Sequence, residues 1–269
     1  MNTVISLAAI ILYLLAAYRL AMALFYADEV DKRQCKMQFF ILGFGALLLH
    51  GIILYQNIDI SGGFNLGFYQ SLSLMGGCIS LMVLLLALWK PLGNLALIFF
   101  PLTSLTMVLE VIFKSQFILP ETTPLGLRVH VLLSVVAYSL LSIGAIQAIL
   151  LALQDRQLSR KKPVIIMRLP PLQLMEDLLI QIIAIGFFIL SLSLATGLPF
   201  LEDIFAQHLI HKTVLSILAW IIFAIVLWGR WARGWRGKTA ISWILGGYVL
   251  LMLAYFGSKF VLELVLKRV

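Results

Sequence analysis

Eight long apolar runs alternate with short polar connectors along the chain. Each run is about the 20 residues that a helix needs to cross the hydrocarbon core of a bilayer. An unpaired strand could not satisfy its backbone hydrogen bonds in lipid, so strands are excluded for these runs. The pattern predicts an all-α, polytopic integral membrane helical bundle of about eight transmembrane helices, folded as a single membrane domain over residues 1–269. The runs cover residues 4–25, 38–57, 69–89, 94–113, 130–153, 178–200, 213–232 and 240–265.

Basic residues are distributed unevenly between the connectors. The first, third, fifth and seventh connectors and their edges hold thirteen Lys and Arg residues, whereas the second, fourth and sixth hold three. Cytoplasmic loops of membrane proteins are enriched in Lys and Arg. The odd connectors are therefore expected to be cytoplasmic, which predicts an N-out/C-out topology, although Lys267 and Arg268 run against the pattern at the outer C-terminus.

Composition supports the membrane class. The chain is 62% hydrophobic and 12% charged, and its mean hydropathy is +1.05. That charged fraction is about half of what soluble domains carry. The net charge of +8 is then explained by topology signals, and no nucleic-acid partner is expected. Cys35 and Cys78 form no CxxC motif, which leaves redox and zinc-knuckle chemistry unsupported.

The four histidines are the main candidates for chemistry. In the predicted topology, His50, His130, His208 and His211 all fall toward the outer face. A neutral imidazole is a common axial ligand of haem iron, and the alternative for each histidine is a hydrogen-bonded interfacial side chain. For His50, a structural role in packing and a functional role are equally supported. For His130, a functional role is favoured. A zinc site that includes Glu202 and Asp203 would match no specific motif.

Other polar features carry weaker signals. Glu110 is interpreted as an interfacial carboxylate, with a proton or ion relay as the alternative. Trp228, Trp231 and Trp235 alternate with arginines as in an aromatic and basic belt at the inner interface. Glycine pairs such as Gly76–Gly77 indicate close helix contacts. The chain has no nucleotide-binding loop, serine-nucleophile elbow or HExxH motif, so no catalytic residue is assigned and the protein is not expected to be an enzyme.

Three stretches together resemble the cytochrome c assembly family of haem-handling membrane proteins (the CcsA, CcmC and HemX relatives), most closely its YpjD/HemX-type branch. The resemblance covers about residues 128–260, roughly half of the chain. The stretches are HVLLSVVAY from His130, PPLQLME from Pro170 running through to the Ala-Thr-Gly that ends at Gly197, and KTVLSILAW from Lys212 followed by GWRG and AYFG.

The resemblance implies that haem is the cofactor and that His130 is an axial ligand at the outer face. His211 or His208 would supply the second ligand, by our inference from topology, and Phe200, Leu201 and Phe205 would form an apolar wall. The loop between Gly197 and Lys212 has no tryptophan, unlike the Trp-rich loop of the haem-attaching synthases.

The chain is therefore expected to be an accessory factor in cytochrome c assembly or haem maturation. It would lie in the cell inner membrane with both termini on the periplasmic side, and would work with haem and with other maturation or membrane proteins. The alternatives are a small-solute transporter or exporter, which would need polar residues through the membrane midplane, and a membrane scaffold without a cofactor.

Overall fold

The computed structural model describes residues 2–26, 28–60, 63–113, 117–159, 170–200, 210–257 and 260. Within these ranges, eight helices are long and apolar enough to cross a membrane. This result confirms the predicted all-α polytopic bundle. The helices are α1 Asn2–Phe25, α2 Glu29–Ile58, α3 Phe68–Trp89, α4 Ala96–Ile112, α5 Leu125–Ser159, α6 Leu172–Gly197, α7 Ile210–Arg233 and α8 Gly237–Met252.

Several helices extend past the apolar runs that predicted them. The helix α2 begins at Glu29, well before the run that starts at residue 38. The helix α5 has 35 residues, more than the roughly 20 that span a hydrocarbon core. A helix satisfies its own backbone hydrogen bonds, so it continues into the polar headgroup region where hydropathy no longer reports it.

The helices form two compact units, residues 1–122 (unit 1) and 123–269 (unit 2). In unit 1, α1 packs on α2 and α4, and α3 packs on the same two helices. The centre of unit 1 is aromatic: the Phe100 ring lies against those of Tyr13 and Phe39. The prediction of a single membrane domain is not tested by this division.

A small antiparallel sheet covers the end of unit 1 where α2 ends and α3 begins, called the sheet end below. Its order is β1 (Asp59–Ile60), β2 (Gly63–Asn65), β3 (Ile118–Pro120). Gly63 has a φ of +147°, and a Cβ there would lie 2.1 Å from the Leu119 carbonyl oxygen. The sheet joins the second and fourth connectors, a pairing that hydropathy did not predict because the strands are only two or three residues long.

Unit 2 contains α5 to α8. The helix α5 packs on α6 and α8, and α7 packs on the same two helices. The contact between α5 and α6 has a glycine on each side: a Cβ on Gly144 would lie 2.6 Å from Ile183 Cδ1, and one on Gly186 would lie 2.8 Å from Leu141 Cδ2. The Tyr138 hydroxyl donates a hydrogen bond to the Leu251 carbonyl of α8, just before a π-helical turn.

The junction between α7 and α8 contains the tryptophans of the predicted belt. Trp228 and Trp231 are 51% and 90% exposed, as belt residues would be, and the Arg233 guanidinium lies 4.8 Å from the centre of the Trp228 ring. Trp235 instead turns back onto α7, where its backbone N–H donates to the Gly229 carbonyl. The position of this belt in a membrane stays a prediction.

We expect Gly229→Ala to destabilise this junction. The new Cβ would lie 2.5 Å from Cδ2 and Cε3 of the rigid Trp235 indole, and such overpacking costs about 1–3 kcal/mol. The measurement is the apparent Tm in detergent, followed by tryptophan fluorescence. Gly246→Ala is the matched control, because a Cβ on Gly246 of α8 would meet nothing within 4 Å. Equal melting temperatures for the two variants would contradict the prediction.

Candidate functional site

His130 lies in the second turn of α5, and its imidazole is held by a backbone carbonyl of α6. The ring Nδ1 is 2.7 Å from the carbonyl oxygen of Ser193. A carbonyl oxygen can only accept a hydrogen bond, so Nδ1 carries the hydrogen. In a neutral imidazole, Nε2 is then left with a lone pair. The fold thus selects one tautomer of His130 and leaves the other nitrogen able to bind a metal.

Two serines connect α5 and α6 at the level of His130. The Ser134 hydroxyl donates to the His130 carbonyl at 2.8 Å and lies 2.7 Å from the hydroxyl of the buried Ser193. Since the single Ser134 hydrogen is committed to the carbonyl, Ser193 donates to Ser134. This pair fixes the position of the Ser193 carbonyl, and with it the direction of the imidazole ring.

The end of α6 packs against the His130 ring. A Cβ on Gly197 would lie 2.8 Å from Nδ1 and 2.9 Å from Cε1 of His130. The chain then makes the 3-10 turn Leu198–Phe200, and the Phe200 ring reaches within 3.2 Å of the position of a Cβ on Gly126. Phe200, which was expected in an apolar wall, therefore packs against the start of α5.

The proposed partners of His130 are only partly described. His208, with Leu201, Glu202, Asp203 and Phe205, lies outside the described residues. The backbone of His211 belongs to the first turn of α7, but its side chain lies outside the described part. The pairing of His130 with His211 or His208 stays a prediction. Across the described ranges, no group of three or more His, Cys, Asp or Glu side chains could hold a metal ion.

His50 has a different environment. It is 0% exposed in the interior of unit 1, with Nε2 at 3.0 Å from the Ser73 hydroxyl and Nδ1 at 3.4 Å from the Tyr13 hydroxyl. Both ring nitrogens thus have a polar partner in the protein. This geometry favours the hydrogen-bonded alternative, and the assignment of His50 as a cofactor ligand stays a prediction.

Glu110, near the end of α4, points into unit 1. The side chain is 7% exposed, and its Oε1 accepts a hydrogen bond from the Asn57 amide at 2.9 Å. The carboxyl group also interacts with the Ser73 hydroxyl. Glu110 is thus packed inside unit 1, and its position at a membrane interface stays a prediction.

Sequence reasoning identified His130 but gave no role to its neighbours. Ser134, Ser193 and Gly197 are small residues inside or at the end of apolar helices, where they usually mark helix contacts. The one available signal was that Ser134 follows His130 by four residues, which places both on one face of α5. The partner on α6 could not be found in this way, because Ser193 is 63 residues away.

Three matches to known proteins agree with one another. A model of the family "Cytochrome C assembly protein" matches residues 12–266. The inner membrane protein YpjD of Escherichia coli (strain K12) is 35% identical over 259 residues, which are 93% of this chain and 97% of that protein. The cytochrome c biogenesis protein CcsA of Chlamydomonas reinhardtii is 24% identical over 239 residues, which are 83% of this chain and 65% of that protein.

The match to the family covers more of the chain than the resemblance found in the sequence. The family model begins at residue 12, so it takes in unit 1 as well as the region of about 128–260 that carried the resemblance. No solved structure matches the chain significantly.

Proposed function

The chain belongs to the cytochrome c assembly protein family, and we propose from this premise that it binds haem at the outer face of the inner membrane with His130 as an axial ligand. Family membership supports a role in cytochrome c biogenesis. We propose further that the role is accessory: the protein holds or passes haem for other maturation proteins and has no turnover of its own. The inner membrane location follows the description of the Escherichia coli relative.

The hydrogen bond from His130 to Ser193 is the observation that carries this proposal. Metal-ligating histidines nearly always donate the other ring N–H to a carboxylate, a carbonyl or water, which fixes the tautomer and raises the basicity of the ligand. His130 donates from Nδ1 to the Ser193 carbonyl at 2.7 Å. Its Nε2 is therefore the nitrogen that would bind iron. The donor set fits a haem, whose iron takes neutral imidazole as an axial ligand.

The other residues of the site hold the His130 imidazole ring in its orientation. Gly197 leaves room for the His130 imidazole, and the hydroxyls of Ser134 and Ser193 hold the accepting carbonyl in place. When bound, haem supplies a redox-active iron whose potential depends on the axial ligands and on burial. The second ligand in this proposal is His211 or His208. Other maturation proteins would present or receive the haem.

We expect His130→Gly to lose or shift the visible haem spectrum. The purified wild-type protein, after haem is added, should show a Soret band and sharp α and β bands on reduction, as six-coordinate haem does. Removal of one axial ligand should abolish these sharp bands. Added imidazole should restore them in His130→Gly, because free imidazole can occupy the vacated ligand position.

Variants of the other histidines serve as controls. The same change at His211 and at His208 identifies the second ligand, and His50→Gln should leave the spectrum unchanged. A wild-type protein that shows no Soret band after reconstitution would sink the proposal and favour transport or scaffolding. A spectrum that is insensitive to His130 would show that haem binds elsewhere.

A further inference from the structure

A continuous series of hydrogen-bonded polar side chains lies in the interior of unit 1, among four helices. All of its members are 7% exposed or less. Polar residues within membrane spans are costly and are functional candidates by default. This series lies apart from His130 in the chain, and the proposed haem binding does not use it. Its members are Glu110 and Thr103 of α4, Ser73 and Ser80 of α3, His50 of α2 and Tyr13 of α1.

The contacts run in order from Glu110 through Ser73, His50 and Tyr13 to Ser80. The Glu110 carboxyl group interacts with the Ser73 hydroxyl, which lies 3.0 Å from His50 Nε2. His50 Nδ1 is 3.4 Å from the Tyr13 hydroxyl. The Tyr13 hydroxyl also interacts with the Ser80 hydroxyl.

The series ends at a backbone carbonyl. The Ser80 hydroxyl lies 3.0 Å from the Thr103 hydroxyl. The Thr103 hydroxyl in turn donates to the Gly76 carbonyl at 3.1 Å. Gly76 makes this last contact possible, since a Cβ there would lie 3.2 Å from the Thr103 methyl group.

Counting hydrogens from the Gly76 carbonyl fixes the direction of every bond up to His50. The carbonyl only accepts, and each hydroxyl has a single hydrogen. Thr103 therefore donates to the carbonyl, Ser80 to Thr103, and Tyr13 to Ser80. The remaining contact of Tyr13 must then be accepted from Nδ1–H of His50.

With one proton shared between Glu110 and His50, two arrangements remain for the other half of the series. In the first, His50 is neutral, Ser73 donates to Nε2, and a protonated Glu110 donates to Ser73. In the second, Nε2–H of a charged imidazolium donates to Ser73, and Ser73 donates to a Glu110 carboxylate. The two differ by the movement of one proton: the carboxyl O–H bond breaks, Ser73 gives its hydrogen to Nε2, and Ser73 receives the hydrogen from Glu110.

The first arrangement is the resting one, because it contains no buried charge. An ionised carboxylate or imidazolium in a low-dielectric interior carries a large desolvation cost. In the part of unit 1 that the structure describes, Glu110 has hydrogen-bond partners and no ion-pair partner.

The other titratable groups of unit 1 lie at different distances from the level of Glu110. Arg19 is near the opposite end of α1, about 20 Å from the level of Glu110 at a rise of 1.5 Å per residue, too far to stabilise a carboxylate. The titratable groups on the elements packed around α4, besides His50, are Tyr13, Tyr18 and Arg19 of α1, Tyr55 of α2, Asp59 of β1, and Tyr69 and Cys78 of α3. The first two turns of α2 add Glu29, Asp31, Lys32, Arg33, Cys35 and Lys36, at the end of α2 that is opposite the sheet end.

We propose that unit 1 binds one exchangeable proton, which Glu110 takes up near the sheet end and Ser73 relays to His50. Measured along the helices from the sheet end, Glu110, Ser73 and His50 lie at depths of about 3, 8 and 12 Å. Since Thr103 donates to a carbonyl that can pass nothing on, the described series is closed at its deep end. Along the described series, the proton therefore enters from one side and is stored, not conducted across the membrane.

Infrared spectroscopy of the full-length protein in lipid tests the proposal at neutral pH. The wild-type protein should show the C=O stretch of a protonated carboxylic acid, shifted to lower frequency after exchange into D2O. Glu110→Gln should lose this band. Its amide can still donate to Ser73 and accept from Asn57, so this variant should fold as the protonated wild type does. Asp177→Asn, which removes an exposed carboxylate that pairs with Arg230, is the matched control and should retain the band.

The tautomer of His50 is a second, independent readout. Nitrogen NMR of 15N-histidine protein should show His50, assigned through His50→Gln, as neutral with hydrogen on Nδ1 and none on Nε2. Ser73→Ala should shift the carboxylic acid band of Glu110, because its hydrogen-bond acceptor is lost. The absence of a protonated carboxylic acid band, a band that persists in Glu110→Gln, or an Nε2–H tautomer would each overturn the proposal.

Discussion

Gly197→Ala is expected to weaken haem binding about 10–100-fold, the usual effect of losing a partner that orients a metal ligand, while the helices stay folded. The new Cβ would lie 2.8 Å from Nδ1 and 2.9 Å from Cε1 of His130, closer than real Cβ contacts come. The imidazole ring must move away from the end of α6. Its movement breaks the 2.7 Å hydrogen bond to the Ser193 carbonyl, and the ring loses both its tautomer and its direction.

The measurement is a haem titration of the apoprotein, followed at the Soret band and compared with far-ultraviolet circular dichroism. Gly246→Ala is the control, since it makes the same change on a helix surface with open space around it. Both variants add one methyl group to a helix, so a large loss of haem affinity in Gly197→Ala alone reports the contact with His130. Wild-type affinity in Gly197→Ala would show that His130 need not keep this orientation to bind haem.

The transmembrane helices could be predicted from sequence because one simple constraint dominates them. In lipid every backbone polar group must be satisfied within the segment, and so an apolar run of about 20 residues has one stable conformation. That argument fails at the helix ends: α2 begins at Glu29 and α5 continues to Ser159, where headgroups and water also permit a helix. Apolar length therefore predicts that a helix exists and not where it stops.

The candidate site could be predicted only as far as its histidine. His130 is a rare residue at the start of an apolar run and was found for that reason. Its orientation depends on Ser193 and Gly197, which are ordinary small residues in a membrane helix. Their importance arises from the packing of α6 against α5 over a separation of 63 residues, which hydropathy does not encode.

The polar series in unit 1 shows the same limit more sharply. Sequence analysis weighed His50 and Glu110 separately, one as a ligand and the other as an interfacial carboxylate. The structure connects the two through Ser73, a residue that sequence gave no reason to single out. Serine is tolerated in a membrane span with or without a partner on another helix, so only the packed structure shows that it joins two titratable groups.

Asn65→Leu is expected to open the small sheet of unit 1. Asn65 is 6% exposed, and its side-chain oxygen accepts two backbone hydrogen bonds at 3.1 Å, from the N–H of Gly67 and from the N–H of Phe117. These bonds tie the start of α3 to the strand that follows α4. Leucine is of similar size but accepts nothing, and each buried donor left without a partner costs about 1–3 kcal/mol. The loss should be largest at the Gly67 N–H, which is the more deeply buried of the two.

Hydrogen–deuterium exchange locates this effect. Amides of residues 63–67 and 117–119 should lose protection in Asn65→Leu, while the interiors of α1 to α4 keep theirs. Asn65→Asp keeps an oxygen acceptor in the same place, where the two backbone N–H groups offset the cost of burying a carboxylate, and should retain more protection than Asn65→Leu. The leucine variant removes the acceptor, whereas the aspartate variant changes the side chain and keeps the acceptor. A difference between the two variants therefore reports the loss of the acceptor. Equal protection in the leucine variant would mean that the strand pairing and the Leu66 N–H bond to the Phe117 carbonyl are sufficient to hold the two connectors together.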